Sequence, residues 1–171
     1  YPAQYSWRVK TKAGLTAFVR PIRAADEPLM VRFHQNLSEE SVKNRFFTNL
    51  DLDQRIAHER LLRVCFNDYD RQIALVAEVG SGRSRKGSAG SARAIGAVVR
   101  LSRIPHTAEA ECTIVVADEH QRRGLGGELL SRIVEVARAE GLRRIFARIQ
   151  KTNAPMLHLF EKNGFSIVSK N

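Results

Sequence analysis

The spacing of apolar residues along the chain switches between two periods. Residues 73–79 (IALVAEV) and 94–101 (AIGAVVRL) are short, nearly continuous apolar runs rich in β-branched side chains, which predicts buried strands. Residues 16–22 alternate small polar or basic positions with Ala17, Val19 and Pro21, and predict a first strand stopped by Pro21 and a turn at 24–26. Helical spacing fills the interval that follows. Asp26 is placed to cap a helix running to about Gln35, with Leu29, Met30 and Phe33 on one face. Ser38, followed by Glu39 and Glu40, opens a second helix, whose Val42, Arg45, Phe46 and Phe47 are expected to turn aromatic rings inward. A third is expected from Asp51 or Asp53 to about Val64, with Ile56, Leu61 and Leu62 as its stripe.

Beyond these, residues 111–116 predict a strand. Residues 127–140 predict a helix with Leu129, Leu130, Ile133, Val136 and Ala137 on one face, closed by Gly141. A strand at 145–149, a helix at 154–163 ending at Gly164, and a last strand at 165–168 complete the order. The runs at 73–79 and 94–101 are joined by GSGRSRKGSAGSA, a Gly/Ser/Arg stretch expected to be mobile, so an antiparallel hairpin is the simplest pairing, and 111–116 extends the meander. Strand 111–116, helix and strand 145–149 form a crossover, which requires those two strands to be parallel. The expected class is therefore α/β with a mixed sheet of α+β character, an antiparallel meander followed by a parallel β-α-β unit.

At 171 residues the chain is expected to be one domain spanning 1–171. Residues 1–15 are expected to be a linker or docking segment, and the missing initiator Met suggests a piece of a longer protein. With 43% hydrophobic and 27% charged residues the composition is that of an ordinary globular domain. Two cysteines, Cys65 and Cys112, lack zinc spacing and are too few for a disulfide framework, which suits a cytoplasmic location. His34 and His58 have no partner at metal-ligand spacing, so no metal is expected. No apolar run approaches the ~18 residues of a membrane span.

The formal net charge of +10 is unevenly spread. Between Gly80 and Ala108 stand Arg83, Arg85, Lys86, Arg93, Arg100 and Arg103 with no acidic residue. Aromatic residues are only 7%, and neither a helix-turn-helix pattern nor a zinc knuckle is present, so a polyanionic cofactor or an acidic protein partner is preferred over nucleic acid.

Candidate chemistry concentrates where strand 111–116 gives way to a helix. Gln121, Arg122 and Arg123 precede Gly124, Leu125, Gly126 and Gly127, which sets bare backbone N–H groups beside fixed positive charge. A helix N-terminus carries unpaired donors and about half a positive charge, and glycine lets a ligand approach them, so an anion is expected there. A dinucleotide fingerprint would need glycine at Leu129, and a phosphate loop would need Gly-Lys-Ser/Thr at its end. What fits is Gln/Arg-x-x-Gly-x-Gly, carried by Gln121, Gly124 and Gly126, which resembles the acetyl-CoA-binding motif of the GCN5-related N-acetyltransferases. The closing stretch Asn153-x-x-Met156-x-x-Leu159-Phe160-x-x-x-Gly164-Phe165 is similar to that family's Asn-x-x-Ala-x-x-Leu-Tyr-x-x-x-Gly-Phe, and the order of elements matches over nearly the whole chain. The phrases FVRPIRAADEPLM, LSEESVKNRFF, NDYDRQIALVAE and AECTIVV also resemble bacterial protein-lysine acetyltransferases of the Pat type.

The resemblance implies acetyl-CoA as co-substrate, a protein lysine as acceptor, with an acyl-CoA synthetase as substrate, and a fused regulatory or synthetase-like domain. Neither nucleic acid nor membrane is expected as a partner. Glu111 is the candidate base, because a lysine amine with pKa near ~10.4 must lose a proton and because this carboxylate sits in an otherwise apolar strand expected to desolvate it. A carboxylate paired with one of the many arginines is the other reading of the same residue, and Glu109 is the fallback base. By resemblance, backbone N–H groups at Ile114, Val115 and Val116 polarise the thioester. Arg122, Arg123 and the N–H groups of 124–127 hold the pyrophosphate, and Asn153 and Phe160 flank the pantetheine arm. Phe160 replaces the usual Tyr, so the general acid is unassigned. Cys112 falls on the opposite face of its strand from Glu111 and is read as core. Transfer to a small amine, or non-catalytic acyl-CoA sensing, remain alternatives.

Overall fold

The computed structural model describes residues 1–47, 50–66, 68–80 and 93–168, so 81–92, the bulk of the Gly/Ser/Arg stretch, lies outside the described residues. Among the described residues six strands form one sheet in chain order: β1 (Trp7–Lys10), β2 (Thr16–Pro21), β3 (Gln72–Gly80), β4 (Arg93–Arg103), β5 (Glu109–Val116) and β6 (Arg144–Phe146). All neighbours pair antiparallel except β5 and β6, which are parallel as a crossover demands. Helices α1 (Glu27–Gln35), α2 (Glu39–Phe46), α3 (Leu52–Ile56) and α4 (His58–Cys65) come between β2 and β3, α5 (Leu125–Ala139) is the crossover, and α6 (Ala154–Lys162) follows β6.

The nearly unbroken apolar run of β3 is explained by two cores, one on each face. Ile73, Leu75, Ala77 and Val79 pack with Val99, Leu101, Ile114, Leu129, Leu130, Ile133 and Phe160 on the side of α5 and α6. Ala74 and Val76 pack with Val98, Ile22, Met30, Phe33, Val42, Leu61 and Cys65 on the side of α1 to α4. Strand alternation therefore assigns the β5 residues from 110 to 116 to a side: Ala110, Cys112, Ile114 and Val116 face α5, whereas Glu111, Thr113 and Val115 face the four-helix side. Between Ala77 and Glu78 the β3–β4 register slips, leaving Gly96 as an extra residue on β4, where a Cβ would stand 3.1 Å from both Val79 and His120.

Tyr5 of the N-terminal segment docks at the end of α5 through a 2.6 Å bond from its hydroxyl to Glu140, and Trp7–Lys10 joins the sheet as an edge strand. Four expectations are corrected. The third helix is broken at Ala57, whose extended backbone separates α3 from α4, and Leu62 is exposed. Phe47 does not turn inward, because it ends α2 in a left-handed conformation and is exposed. The strand expected at 145–149 shrinks to Arg144–Phe146, and 165–168 forms no strand. Ser38 caps α2 as expected, accepting from the Ser41 N–H at 3.1 Å.

On the four-helix side, Arg20 is buried with Asp26 and Glu78 and bonds both, at 2.7 and 3.1 Å. Nearby His34 is also buried, and Arg55 donates to its carbonyl at 3.0 Å. Burial, followed by the charges of Arg60, Arg55 and Arg45, pushes its imidazole down to about 3 from an ordinary 6.5. The unfolded chain takes up a proton near 6.5 that the folded one refuses, so this contribution is whole above that pH and drains as pH falls toward 3. Within that window up to about 1.4 kcal/mol of stability per pH unit is expected to be lost through this group. Urea titrations across the window on the wild type and His34→Gln should show a flatter profile for the variant.

Candidate active site

Parallel pairing of β5 with β6 lasts only from Glu109–Arg144 through Ala110–Ile145 to Glu111–Phe146. Past that point β5 continues for five residues on β4 alone, so the two strands part and leave a slot. The Ala117 N–H donates to the Gly96 carbonyl on β4 at 2.8 Å. The two-residue period then turns the N–H groups of Ile114 and Val116 toward the slot, while that of Val115 faces β4. Two of the three expected donors are therefore available to a ligand lying in the slot.

At the end of β5 the chain passes through a tight turn into α5. Arg122 (φ 64°) and Gly124 (φ 88°) are both left-handed, an arrangement that gathers successive N–H groups into a concave anion-binding nest, and Arg122 and Arg123 are exposed beside it. Gly124 is the residue before α5, as an N-cap should be, and glycine bears this φ without strain. A Cβ on Gly124 would lie 3.2 Å from Thr11 of the β1–β2 turn, and one on Gly126 would lie 3.1 Å from Leu159 and 3.5 Å from Val116. Gly126 thus allows α5 to approach β5 and α6 closely, at the mouth of the slot.

The Gln121 side chain is engaged within the protein. Its amide donates to the Val116 carbonyl at 3.0 Å and to the Ser41 hydroxyl at 3.2 Å, while Asp118 accepts from the Ser38 N–H and the Ser41 hydroxyl. These bonds tie the end of β5 to the start of α2. The Asn153 carbonyl oxygen caps α6 by accepting from the Met156 N–H, and Phe160 is buried in the core, edge-on to Phe165 at 4.9 Å. Spacing alone could not distinguish a brace or a cap from a ligand contact, since all three use the same polar side chains.

Glu111 lies beside the slot on the four-helix side, half-buried, with Arg148 donating to its two oxygens at 2.6 and 3.2 Å. Desolvation by apolar neighbours is not its environment; an exposed guanidinium partners it. Glu109 is paired in the same manner with Arg144 at 3.2 Å. Cys112 is buried on the other face, its thiol pushed up to about 12 chiefly by burial. Opposite Thr113 in the register stands Arg100, which donates to Gln72 at 3.2 Å and to the Val64 carbonyl at 3.3 Å. Arg45 of α2 and Arg60 of α4 sit over the Phe46 ring at 4.7 and 5.2 Å. Arg148 and these other arginines were missed in the sequence, where nothing marks an arginine 37 positions from Glu111 as its partner. Among the described residues no group of three His, Cys, Asp or Glu could hold a metal, and no helix is long and apolar enough to cross a membrane.

A splayed parallel strand pair ending in a glycine-rich nest before the crossover helix is the architecture of an acyl-CoA-dependent N-acetyltransferase, and the donors present fit acetyl-CoA. Residues 44–165 match the family described as the acetyltransferase (GNAT) family, and the chain belongs to it. The GNAT domain of S. lividans PAT is similar at 33% identity, with a TM-score of 0.82 over 97% of this chain and 90% of that one. An acetyltransferase of Pseudomonas aeruginosa is 25% identical over 93% of this chain and 80% of its own length. A stretch of 65 residues, 38% of this chain and 37% of the relative, is 37% identical to the L-amino acid N-acyltransferase MnaT of Escherichia coli. The protein is an acyl-CoA-dependent N-acetyltransferase of the GNAT type.

If the nest receives the pyrophosphate, Gly124→Ala should weaken acetyl-CoA binding, since a Cβ at this φ carries about 1–2 kcal/mol of strain that widens the turn and shifts it from Thr11. Arg123→Ala should weaken binding only a few-fold, and less in high salt, because an exposed charge is screened. Calorimetric titration with acetyl-CoA at two ionic strengths, on variants with unchanged circular dichroism, separates the two effects.

Proposed function

We propose that the protein moves acetyl from acetyl-CoA to the side-chain amine of a protein lysine in the bacterial cytoplasm, with Glu111 as the base. The observation that carries this reading is the position of Glu111: it is the last β5 residue paired with β6, at the point where the slot begins, and its side chain faces the four-helix side from which an acceptor would arrive. The likeness to the S. lividans PAT domain over nearly the whole of both chains supports the choice of acceptor, as do the phrases shared with Pat-type enzymes. An acyl-CoA synthetase as substrate and a fused regulatory domain belong to this proposal on the same ground. Two buried free cysteines suit a reducing compartment.

In this reading the nest at 122–127 holds the pyrophosphate of acetyl-CoA and the Ile114 and Val116 N–H groups bond along the slot, one of them polarising the thioester carbonyl. Bound acetyl-CoA supplies an activated acyl group with a thiolate leaving group. Glu111 accepts the amine proton, directly or through one water, at the lone pairs that Arg148 leaves open. Because Phe160 has no hydroxyl, sulfur departs as thiolate and is protonated by solvent, which a thiol with pKa near ~8.5 allows.

A second reading, acetylation of a free L-amino acid, is favoured by the stretch shared with MnaT. Incubation of lysate with labelled acetyl-CoA tells the two apart: label in protein lysines is expected, and label confined to small molecules would overturn the lysine reading. Glu111→Gln should lower kcat by roughly 10²–10⁴-fold while leaving acetyl-CoA affinity unchanged, because a base acts on the proton and does not hold the cofactor. Near wild-type turnover would reassign Glu111 as a structural partner of Arg148.

A further inference from the structure

Ser41 is a buried residue in the first turn of α2, and its hydroxyl bonds outside its own helix. The hydroxyl donates to the Asp118 carboxylate, standing 3.2 Å from either oxygen, and accepts from the Gln121 amide at 3.2 Å. Asp118 also accepts from the Ser38 N–H at 2.9 Å, and Gln121 also donates to the Val116 carbonyl at 3.0 Å. The Ser41 hydroxyl is not what caps α2, because the Ser38 side chain does so by accepting from the Ser41 N–H. What the hydroxyl holds is on the other side: residues 116–121, which end β5 and lead into the nest before α5.

That stretch has a reason to be held. Arg122 follows Gln121 directly at φ 64°, and an L side chain persists in the left-handed region only where its surroundings over-determine it. The Gln121 amide nitrogen spends one hydrogen on β5 and the other on α2, so the backbone entering Arg122 is fixed against both. Without the Ser41 hydroxyl, Gln121 is tied to β5 alone, and the exposed bond from the Ser38 N–H to Asp118 is what remains between the turn and α2. We propose that Ser41 is a positioning residue for acetyl-CoA: through Asp118 and Gln121 it holds the end of β5 and the left-handed turn in the geometry that offers the Val116 N–H and the N–H groups of 122–127 to the cofactor. This rests on the reading above in which the slot and the nest receive acetyl-CoA. Ser41 acts without touching the cofactor. Loosening the turn lowers the fraction of molecules competent to bind, and the apparent affinity falls by that fraction.

The experiment is a calorimetric titration with CoA of the wild-type chain, Ser41→Ala, Ser41→Thr, Asp118→Asn and Gly124→Ala, at a temperature where circular dichroism shows each of them folded. Ser41→Ala is expected to weaken CoA roughly fivefold to tenfold, as the loss of the hydrogen bonds at one hydroxyl warrants, and Ser41→Thr, which keeps the hydroxyl, to recover most of that loss. Asp118→Asn keeps one acceptor oxygen and should weaken CoA about twofold to threefold; it decides alone if Ser41→Ala does not fold. A hydroxyl that serves folding only would lower the urea midpoint of Ser41→Ala and leave the dissociation constant of the folded variant at the wild-type value, and that result overturns the inference. If CoA binding falls in Gly124→Ala but not in Ser41→Ala, the inference fails and the cofactor reading stands. If it falls in neither, the nest is not where CoA is held, and both fail. If it falls in Ser41→Ala alone, the inference holds through the Val116 end of the slot and the pyrophosphate belongs elsewhere.

Discussion

The site depends on a sheet that stops closing. Strand β5 is hydrogen-bonded on both edges only from Glu109 to Glu111, and beyond Phe146 its second edge has no strand beside it. An unpaired N–H or carbonyl is expensive when buried, so a gap of this kind survives only when water or a ligand meets it or when other groups satisfy it. Gln121 takes one of the freed carbonyls, that of Val116, and the N–H groups of Ile114 and Val116 are left to a ligand. In the binding mode proposed here acetyl-CoA would take the place of the missing strand, with the turn and helix that follow at its far end.

That dependence links two walls that would otherwise be independent. Gln121 bonds both the end of β5 and Ser41, and Asp118 bonds Ser38 and Ser41 at the start of α2. Arg45 lies one turn further along α2, beside Phe46. The segment that would hold the pyrophosphate and the start of α2 therefore share one hydrogen-bonded joint, made by the side chains of Gln121, Asp118 and Ser41.

Much of this was legible in the sequence because it rests on local rules. The glycines at 124 and 126 marked the turn, one needed for a left-handed backbone and the other for close packing, and the period-two pattern of β5 put Glu111 and Cys112 on opposite faces. The parts that were not legible are tertiary. Trp7–Lys10 is a four-residue edge strand whose outward positions are charged, so its apolar signal is weak until β2 is beside it. The shortness of β6 follows from the splay and not from its own residues, since 145–149 is as apolar as a strand needs to be. The family likeness suggested ligand roles for Gln121, Asn153 and Phe160, but their side chains brace, cap and fill the core. Residues kept for the geometry of a site and residues that touch its ligand leave the same trace in a motif.

The excess positive charge divides by environment. Arg122 and Arg123 stand in solvent at the nest, where a charge is screened beyond about 8 Å at physiological salt, so any attraction they exert on an anion is short-range. Arg45, Arg60 and Arg100 are half-buried, where screening is weaker and the protein must bear their repulsion whether or not a substrate is present. The Arg20, Asp26 and Glu78 group shows that this chain neutralises a buried guanidinium with carboxylates where only stability is at stake. On the wall facing Glu111, Arg45 has no carboxylate within ion-pair distance among the described residues, and its guanidinium rests on the Phe46 ring.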